Sequence, residues 1–348
     1  MKAYVLHGIG ELRYEDVELP EVAAGCVLVQ VRAVGVCGSD IPRIYRTGAY
    51  SHPLIPGHEF AGVVVEVGSD IDRAWLNKRV GVFPMIPCMD CPQCLGKQYE
   101  MCQNYNYLGS RTDGGFAEYV RVPVWNLIEL PDNVSFEQAS MLEPASVAVH
   151  AARRIGIRAG ESAAVCGLGT IGFLLVMFLQ SMGVENIYVI GNKDMQRRIS
   201  GELGVPCENF CDDRERDVVE WMHSVTDGQG VDVFFDCVGR NQVIEEAVQS
   251  VCAGGRIMLV GNPASDMCLE KNLYWKILRR QLTLKGTWNS SYTREEDDDW
   301  HTVLGAMEDG RLHPESLITH RFALAELSRG MEIMRDKTEE YVKMMAVL

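Results

Sequence analysis

Ala163-Ala-Val-Cys-Gly167-Leu-Gly169-Thr170-Ile171-Gly172 passes from an apolar run into a turn spaced G-x-G-x-x-G, and Phe173 to Met182 continues it with a helical pattern. Alone, three glycines at this spacing say little. Here a strand signal precedes them, a helix signal follows, and the next strand comes at Ile187-Tyr-Val-Ile190. In that context the turn predicts a dinucleotide fold, because glycines let the backbone approach a pyrophosphate at a helix N-terminus. The uncharged run from Ser162 to Val184 is long enough to suggest a membrane span, but Gly167, Gly169, Gly172 and Gly183 divide it into strand, turn and helix.

Downstream the alternation continues. Strands are predicted at Val231–Asp236, Arg256–Gly261 and Leu282–Gly286, with helices near 194–204, 214–226, 241–252 and 272–280. This is an α/β, doubly wound Rossmann sheet of about six strands. The second strand of such a sheet usually ends in an acid that binds the ribose 2′-hydroxyl of NAD. Here it ends in Gly191, with Asn192, Lys193, Arg197 and Arg198 nearby. Loss of the acid beside three cations favours the 2′-phosphate of NADP over NAD; the same cations also suit an exposed helix start.

Upstream, residues 1 to 36 read as short strands, followed by two clusters of metal-ligand residue types. Cys88, Cys91, Cys94 and Cys102 are spaced C-x2-C-x2-C-x7-C among Pro87, Pro92 and Gly96. Four thiolates can close a tetrahedral shell around zinc and leave no position for substrate, so this segment is a structural lobe. The less conspicuous cluster is Cys37-Gly-Ser39-Asp40 with Gly57-His58-Glu59. Thiolate and imidazole suit zinc, Asp40 can fix the tautomer of His58, and Ser39 can exchange a proton with a bound alcohol. Glu143 stands in an apolar run and needs a partner, of which a metal is one. Ser135 with Gln138 starts a helix, and Leu142-Glu143-Pro144 is expected to break it. The acidic run Glu295 to Asp299 reads as a solvated helix start, Trp288 to Tyr292 as a pocket loop, and the tail as a helix near 323–336 followed by a strand.

The 348 residues predict two domains. With 33 basic against 48 acidic residues, a formal charge of −15 and no Lys/Arg-rich run, neither nucleic acid nor a membrane surface is expected as partner. Twelve cysteines in so long a chain, behind an opening segment without an apolar core, predict reduced thiols in the cytoplasm.

Taken together, Cys37-Gly-Ser-Asp40, Gly57-His-Glu59, the four-cysteine lobe, Leu142-Glu-Pro144 and Gly167-Leu-Gly-Thr-Ile-Gly172 resemble the zinc-containing medium-chain dehydrogenase/reductases, polyol branch, over essentially the full length. The resemblance implies a GroES-like, β-rich catalytic domain (residues 1–147 and, after the chain returns, 286–348) and a Rossmann domain (148–285). It implies two zincs per chain. One is catalytic, on Cys37, His58 and Glu143, with Glu59 as a further candidate ligand; the other is structural, on Cys88, Cys91, Cys94 and Cys102. The implied reaction moves a hydride between a secondary alcohol of a polyol or sugar phosphate and the nicotinamide, with Ser39 passing the proton outward. Pro42 stands where many alcohol dehydrogenases place the histidine that ends the proton relay, so a water chain or Glu59 would have to serve. Arg43 is the candidate ligand of a substrate phosphate. A homodimer or homotetramer is expected. Other alcohol, threonine or steroid dehydrogenases, and a non-catalytic nucleotide-binding member, remain alternatives.

Overall fold

A computed structural model describes residues 1–348, the side chains of residues 70 and 71 excepted. The chain packs as two compact units, Val147–Asn289 and Met1–Ser146 with Ser290–Leu348.

The unit Val147–Asn289 is built on a six-stranded parallel sheet in the spatial order Phe210–Asp212, Asn186–Gly191, Ser162–Cys166, Val231–Asp236, Val251–Leu259, Thr283–Gly286. The chain starts in the middle at Ser162–Cys166, winds outward to one edge, then returns to fill the other side. The winding therefore reverses between Ser162–Cys166 and Val231–Asp236, where an open α/β sheet binds its ligand. Ala163, Ala164, Val165, Val233, Phe234 and Phe235 are all fully buried. That is why these strands read as continuous apolar runs rather than alternating ones.

Two local readings change here. The strand Phe210–Asp212 is three residues long and follows a 3-10 turn at Cys207–Asn209, too short to give a period-two signal. The helix predicted from 214 begins at Val218, because the Asp217 side chain caps it by accepting the Glu220 N–H at 2.8 Å.

The other unit holds a seven-stranded sheet ordered Ile318–Phe322, Lys343–Val347, Cys26–Val36, Glu59–Val67, Arg79–Val82, Leu127–Glu129, with Tyr119–Pro123 also paired to Cys26–Val36. The eleven residues of Cys26–Val36 organise it. Along one edge its first half pairs with Tyr119–Pro123 and its second half with Lys343–Val347, and Glu59–Val67 runs along the other. Cys37 and His58 thus sit at adjacent strand ends, because Gly35 pairs with Glu59.

The predicted capping box is present: Ser135 Oγ accepts the Gln138 N–H and Gln138 Oε1 accepts the Ser135 N–H. The helix begun there, Phe136–Ser140, does end before Leu142-Glu143-Pro144, and that segment forms the first turn of a second helix, Leu142–Ile155, where a proline costs no helix hydrogen bond. The acidic run is not solvated throughout. Asp298 and Asp299 are buried, Asp298 accepting the N–H groups of Thr293, Arg294 and His301, and Asp299 that of Ser291. They convert a charged stretch into a helix cap, and the helix Asp299–Glu308 follows. Nor does Tyr292 line a pocket. It is buried against Phe83, Trp125 and Trp300, and its hydroxyl donates to Leu127 O at 2.6 Å.

Candidate active site

Cys37, at the end of Cys26–Val36, and His58 and Glu59, at the head of Glu59–Val67, bring a sulfur, a ring nitrogen and a carboxylate oxygen within 4.8 Å of one another. Behind them Asp40 is fully buried. Its Oδ2 accepts the Cys37 N–H at 3.0 Å; its Oδ1 lies 2.6 Å from Arg43 Nη1 and 3.4 Å from His58 Nδ1. Burial pushes the Asp40 carboxyl up, yet His58, Arg43 and the Cys37 N–H together hold it below the usual range. With Nδ1 turned to Asp40, the ring presents Nε2 to the cluster, the outer-shell arrangement that fixes a metal-binding tautomer.

These residues fit a metal. His58 Nδ1 is buried near Asp40 without a well-formed hydrogen bond. Burial lowers the pKa of the His58 ring, but Asp40 and Cys37 raise it well above 6.5. A ring nitrogen, a sulfur and a carboxylate oxygen within 4.8 Å of one another are a donor set that suits a divalent cation, which Cys37 and His58 would hold. Ser39 Oγ donates to Cys37 Sγ at 3.3 Å, so the candidate relay hydroxyl touches the candidate ligand.

Glu143 stands outside the group within 4.8 Å. It is buried, and its Oε1 accepts the Tyr107 hydroxyl at 3.1 Å. Burial first, and then Glu59, push its carboxyl up to about 7 against the pull of His58, Lys343 and Tyr107. Glu59 is inside the group and is ion-paired with Lys343, whose ammonium also donates to Val36 O at 3.1 Å. Lys343 is 2% exposed and Glu59 1%. Gly35 makes room for the pair, since a Cβ there would lie 2.4 Å from Glu59 Oε2 and 2.7 Å from Lys343 Cε. Neither Lys343 nor Tyr107 was among the residues singled out from sequence. A lone lysine within Val342-Lys-Met-Met-Ala-Val347 was the available signal for the first.

The four cysteines gather with Sγ–Sγ separations of 3.5 Å (Cys91–Cys94 and Cys88–Cys102), 3.9 Å (Cys88–Cys94) and 4.0 Å (Cys91–Cys102). A tetrahedron with Zn–S bonds of about 2.3 Å has S–S edges of about 3.8 Å, whereas a disulfide would require about 2.05 Å. Backbone N–H groups of Gln103 and Cys94 draw the Cys91 thiol down to about 6, while burial pushes the Cys94 thiol up to about 12.

In the nucleotide unit the three glycines have three different surroundings. Gly167 has φ +94°, and a Cβ there would meet Val238 Cγ2 at 2.6 Å. A Cβ at Gly172 would meet Gly167 O at 2.2 Å, whereas at Gly169 nothing lies within 4 Å. Tight turn, open backbone and close helix–strand packing are what a pyrophosphate site requires. The first helix-internal N–H is that of Phe173, given to Gly169 O at 3.0 Å, so the amides of Thr170, Ile171 and Gly172 head the helix towards that space.

Two family models match the chain: the alcohol dehydrogenase GroES-like domain over residues 23–132 and the zinc-binding dehydrogenase over 170–309. The chain is 30% identical to galactitol 1-phosphate 5-dehydrogenase of Escherichia coli strain K12, covering 95% of both chains. The chain belongs to the zinc-type medium-chain alcohol dehydrogenases. This dehydrogenase is also 28% identical to sorbitol dehydrogenase of Bacillus subtilis over 99% of its length and 96% of the relative's. The crystal structure of galactitol-1-phosphate dehydrogenase from Escherichia coli superposes with a TM-score of 0.92 at 28% identity, all of both chains covered. A zinc-binding dehydrogenase from Sinorhizobium meliloti, solved bound to NADP, gives 0.90 at 27% identity, covering 100% and 99%. The protein is accordingly an oxidoreductase of the alcohol/polyol dehydrogenase kind.

At the end of its second nucleotide strand, Gly191 faces Gln196, whose Oε1 would lie 2.7 Å from an added Cβ. Gln196 accepts the Asn192 N–H at 2.8 Å and donates to Leu168 O at 2.9 Å. A neutral amide thus buttresses the position where an acid was expected. The neighbouring cations divide. Arg197 lies 3.2 Å from Asp212 and packs on Phe210; Arg198 pairs with Glu202 on the exposed helix face; Lys193 precedes the helix Asp194–Glu202 without a side-chain capping bond. No described helix is long and apolar enough to cross a membrane.

Proposed function

We propose that this dehydrogenase oxidises a secondary alcohol of a polyol or polyol phosphate to a ketose, galactitol 1-phosphate being the model substrate, with NADP in preference to NAD. The observation that carries the reading is the convergence of Cys37, His58 and Glu59 in front of the buried Asp40. Cys37 and His58, with Glu143 or Glu59, would hold the catalytic zinc, and the four-cysteine lobe a second. Zinc held there would supply Lewis acidity and so lower the pKa of an alcohol hydroxyl. Asp40 orients the His58 ring, and Arg43 braces Asp40. Ser39 Oγ takes up the substrate proton and passes it outward. Glu59 is engaged by Lys343, so beyond Ser39 a water chain completes the relay. The nicotinamide takes the hydride.

Arg43 spends one of its donors on Asp40 and keeps others for a substrate phosphate. For the cofactor, Gly191 removes the acid that would repel a 2′-phosphate, and Arg197 and Lys193 lie close by in sequence. Twelve unpaired cysteines, four of them gathered for a metal, suit the reducing cytoplasm.

A homodimer is proposed through the nucleotide units, or a homotetramer of two such dimers. The strand Thr283–Gly286 ends the sheet, and the helix Lys271–Arg280 next to it exposes Tyr274, Trp275 and Leu278. Trp275→Glu with Leu278→Glu should give monomers by sedimentation; an unchanged mass refutes the surface. The deciding experiment for function is a panel of free polyols and their phosphates with NAD and NADP, followed at the nicotinamide absorbance, alongside zinc analysis. Two zincs and turnover of a polyol phosphate with NADP are expected. Equal rates with free and phosphorylated polyols remove the role given to Arg43, and one zinc without turnover refutes the catalytic reading.

A further inference from the structure

Two carboxylates approach the Cys37–His58 pocket, and each is held by a different side chain. Glu59 is held by the Lys343 ammonium; Glu143 is held by a neutral phenol, Tyr107. Tyr107 touches both sides of the pocket at once. Its hydroxyl donates to Glu143 Oε1 at 3.1 Å, and its ring meets the His58 ring edge-on, centroids 5.8 Å apart at 69°. Its backbone has little freedom. Tyr107 lies on the two-residue strand Asn106–Tyr107 paired with Met85–Ile86, and its carbonyl accepts the N–H groups of Ser110, Arg111 and Thr112 at 3.2, 2.9 and 3.1 Å. On its other side the ring abuts Tyr105, centroids 6.3 Å apart.

We propose that Tyr107 is a positioning residue for the metal pocket: it holds one oxygen of Glu143 so that the other is left for the metal, and so selects Glu143 over Glu59 as the third protein ligand. The inference rests on the zinc reading of this pocket. A buried carboxylate needs a donor, and an ammonium there would compete with the metal for its charge. A phenol satisfies one lone pair and leaves the charge available.

The test is metal retention, read without turnover. Zinc-loaded wild type and Y107F are titrated with a chelator, and zinc per chain is measured. Phenylalanine keeps the ring packing on His58 and removes only the hydroxyl. Y107F should lose the pocket zinc at about 10–100-fold lower free chelator, the usual cost of removing an outer-shell partner, and keep the four-cysteine zinc as an internal folding control. With cobalt in the pocket, its visible bands should shift in Y107F. In an E143Q background the Y107F change should have no further effect, because Tyr107 acts through Glu143. Wild-type retention and an unchanged cobalt spectrum in Y107F overturn the proposal. So does a loss of equal size in the E143Q background. A wild type that binds metal only at the four cysteines overturns the zinc reading of the pocket itself and this inference with it.

Discussion

Lys343→Met removes an ammonium from the catalytic unit while keeping an unbranched side chain of similar reach in the strand Lys343–Val347. The ammonium has two acceptors, Glu59 Oε2 and Val36 O, and all three residues are at most 2% exposed. Removing one partner of a buried ion pair costs about 3–5 kcal/mol, because the other is left without compensation. For a unit of this size about 1 kcal/mol moves the melting temperature by about 2–4 °C, so K343M should melt about 6–20 °C below wild type. The loss should fall on the unit holding Glu59, which differential scanning calorimetry of the zinc-loaded protein resolves if the two units melt apart. Replacing both members changes the sign of the argument: an uncharged pair of similar volume is often tolerated, so K343M/E59Q should recover most of the loss. The reasoning is refuted if K343M melts within about 3 °C of wild type, the equivalent of about 1 kcal/mol. It is equally refuted if the double variant melts no higher than K343M.

Gly169→Ala should stay within about 0.5 kcal/mol of wild-type stability and weaken dinucleotide binding tenfold or more, whereas Gly172→Ala, whose Cβ would meet Gly167 O at 2.2 Å, should cost about 1–3 kcal/mol of stability; urea melts and cofactor titration separate the two. Cys91→Ser should remove one zinc per chain and lower the melting temperature before hydride transfer per folded molecule changes; a fully stable variant without hydride transfer contradicts the structural role. Arg214 makes paired bonds to Asp212, with Nε–Oδ1 at 2.9 Å and Nη2–Oδ2 at 2.6 Å, and these outweigh burial to hold the Asp212 carboxyl below its ordinary 3.8. Because the folded pKa is the lower one, the stabilisation is fully present above the unfolded value and is lost as pH falls through the folded value. Asp212→Asn should therefore be less stable than wild type at pH 6–8, with the difference closing below about pH 4; a gap that is constant in pH refutes this origin.

The nucleotide unit was legible because its signals are local. Gly167 and Gly172 are required by atoms that crowd the turn, Gly169 leaves its backbone open, and the buried parallel strands are apolar without interruption. Phe210–Asp212 escaped because three residues cannot display a period. The acidic run Glu295 to Asp299 misled for a different reason. Composition reports charge and so suggested solvent, but Asp298 and Asp299 are consumed by backbone N–H groups of Ser291, Thr293, Arg294 and His301. An acid that caps a helix and a loop together is buried by its partners, and those partners carry no side-chain signature.

The metal pocket divides along the same line. Cys37, His58 and Glu59 were readable because they lie at the adjoining ends of two paired strands, with Asp40 in the short turn of helix just beyond Cys37, so short sequence spacing becomes short spatial distance. Which carboxylate serves the metal was not readable, because the answer lies in residues that arrive from elsewhere. Lys343 comes from a strand 284 residues beyond Glu59, and Tyr107 from a two-residue strand 36 residues before Glu143. Glu59 has the sequence position of a ligand, next to His58, yet it is buried against a cation. Glu143 lies far from His58 in the chain, yet it is held by a neutral donor, the Tyr107 hydroxyl. Proximity in sequence identified the pocket; what distinguishes its two acids is the charge of the distant partner, an ammonium at Glu59 and a phenol at Glu143.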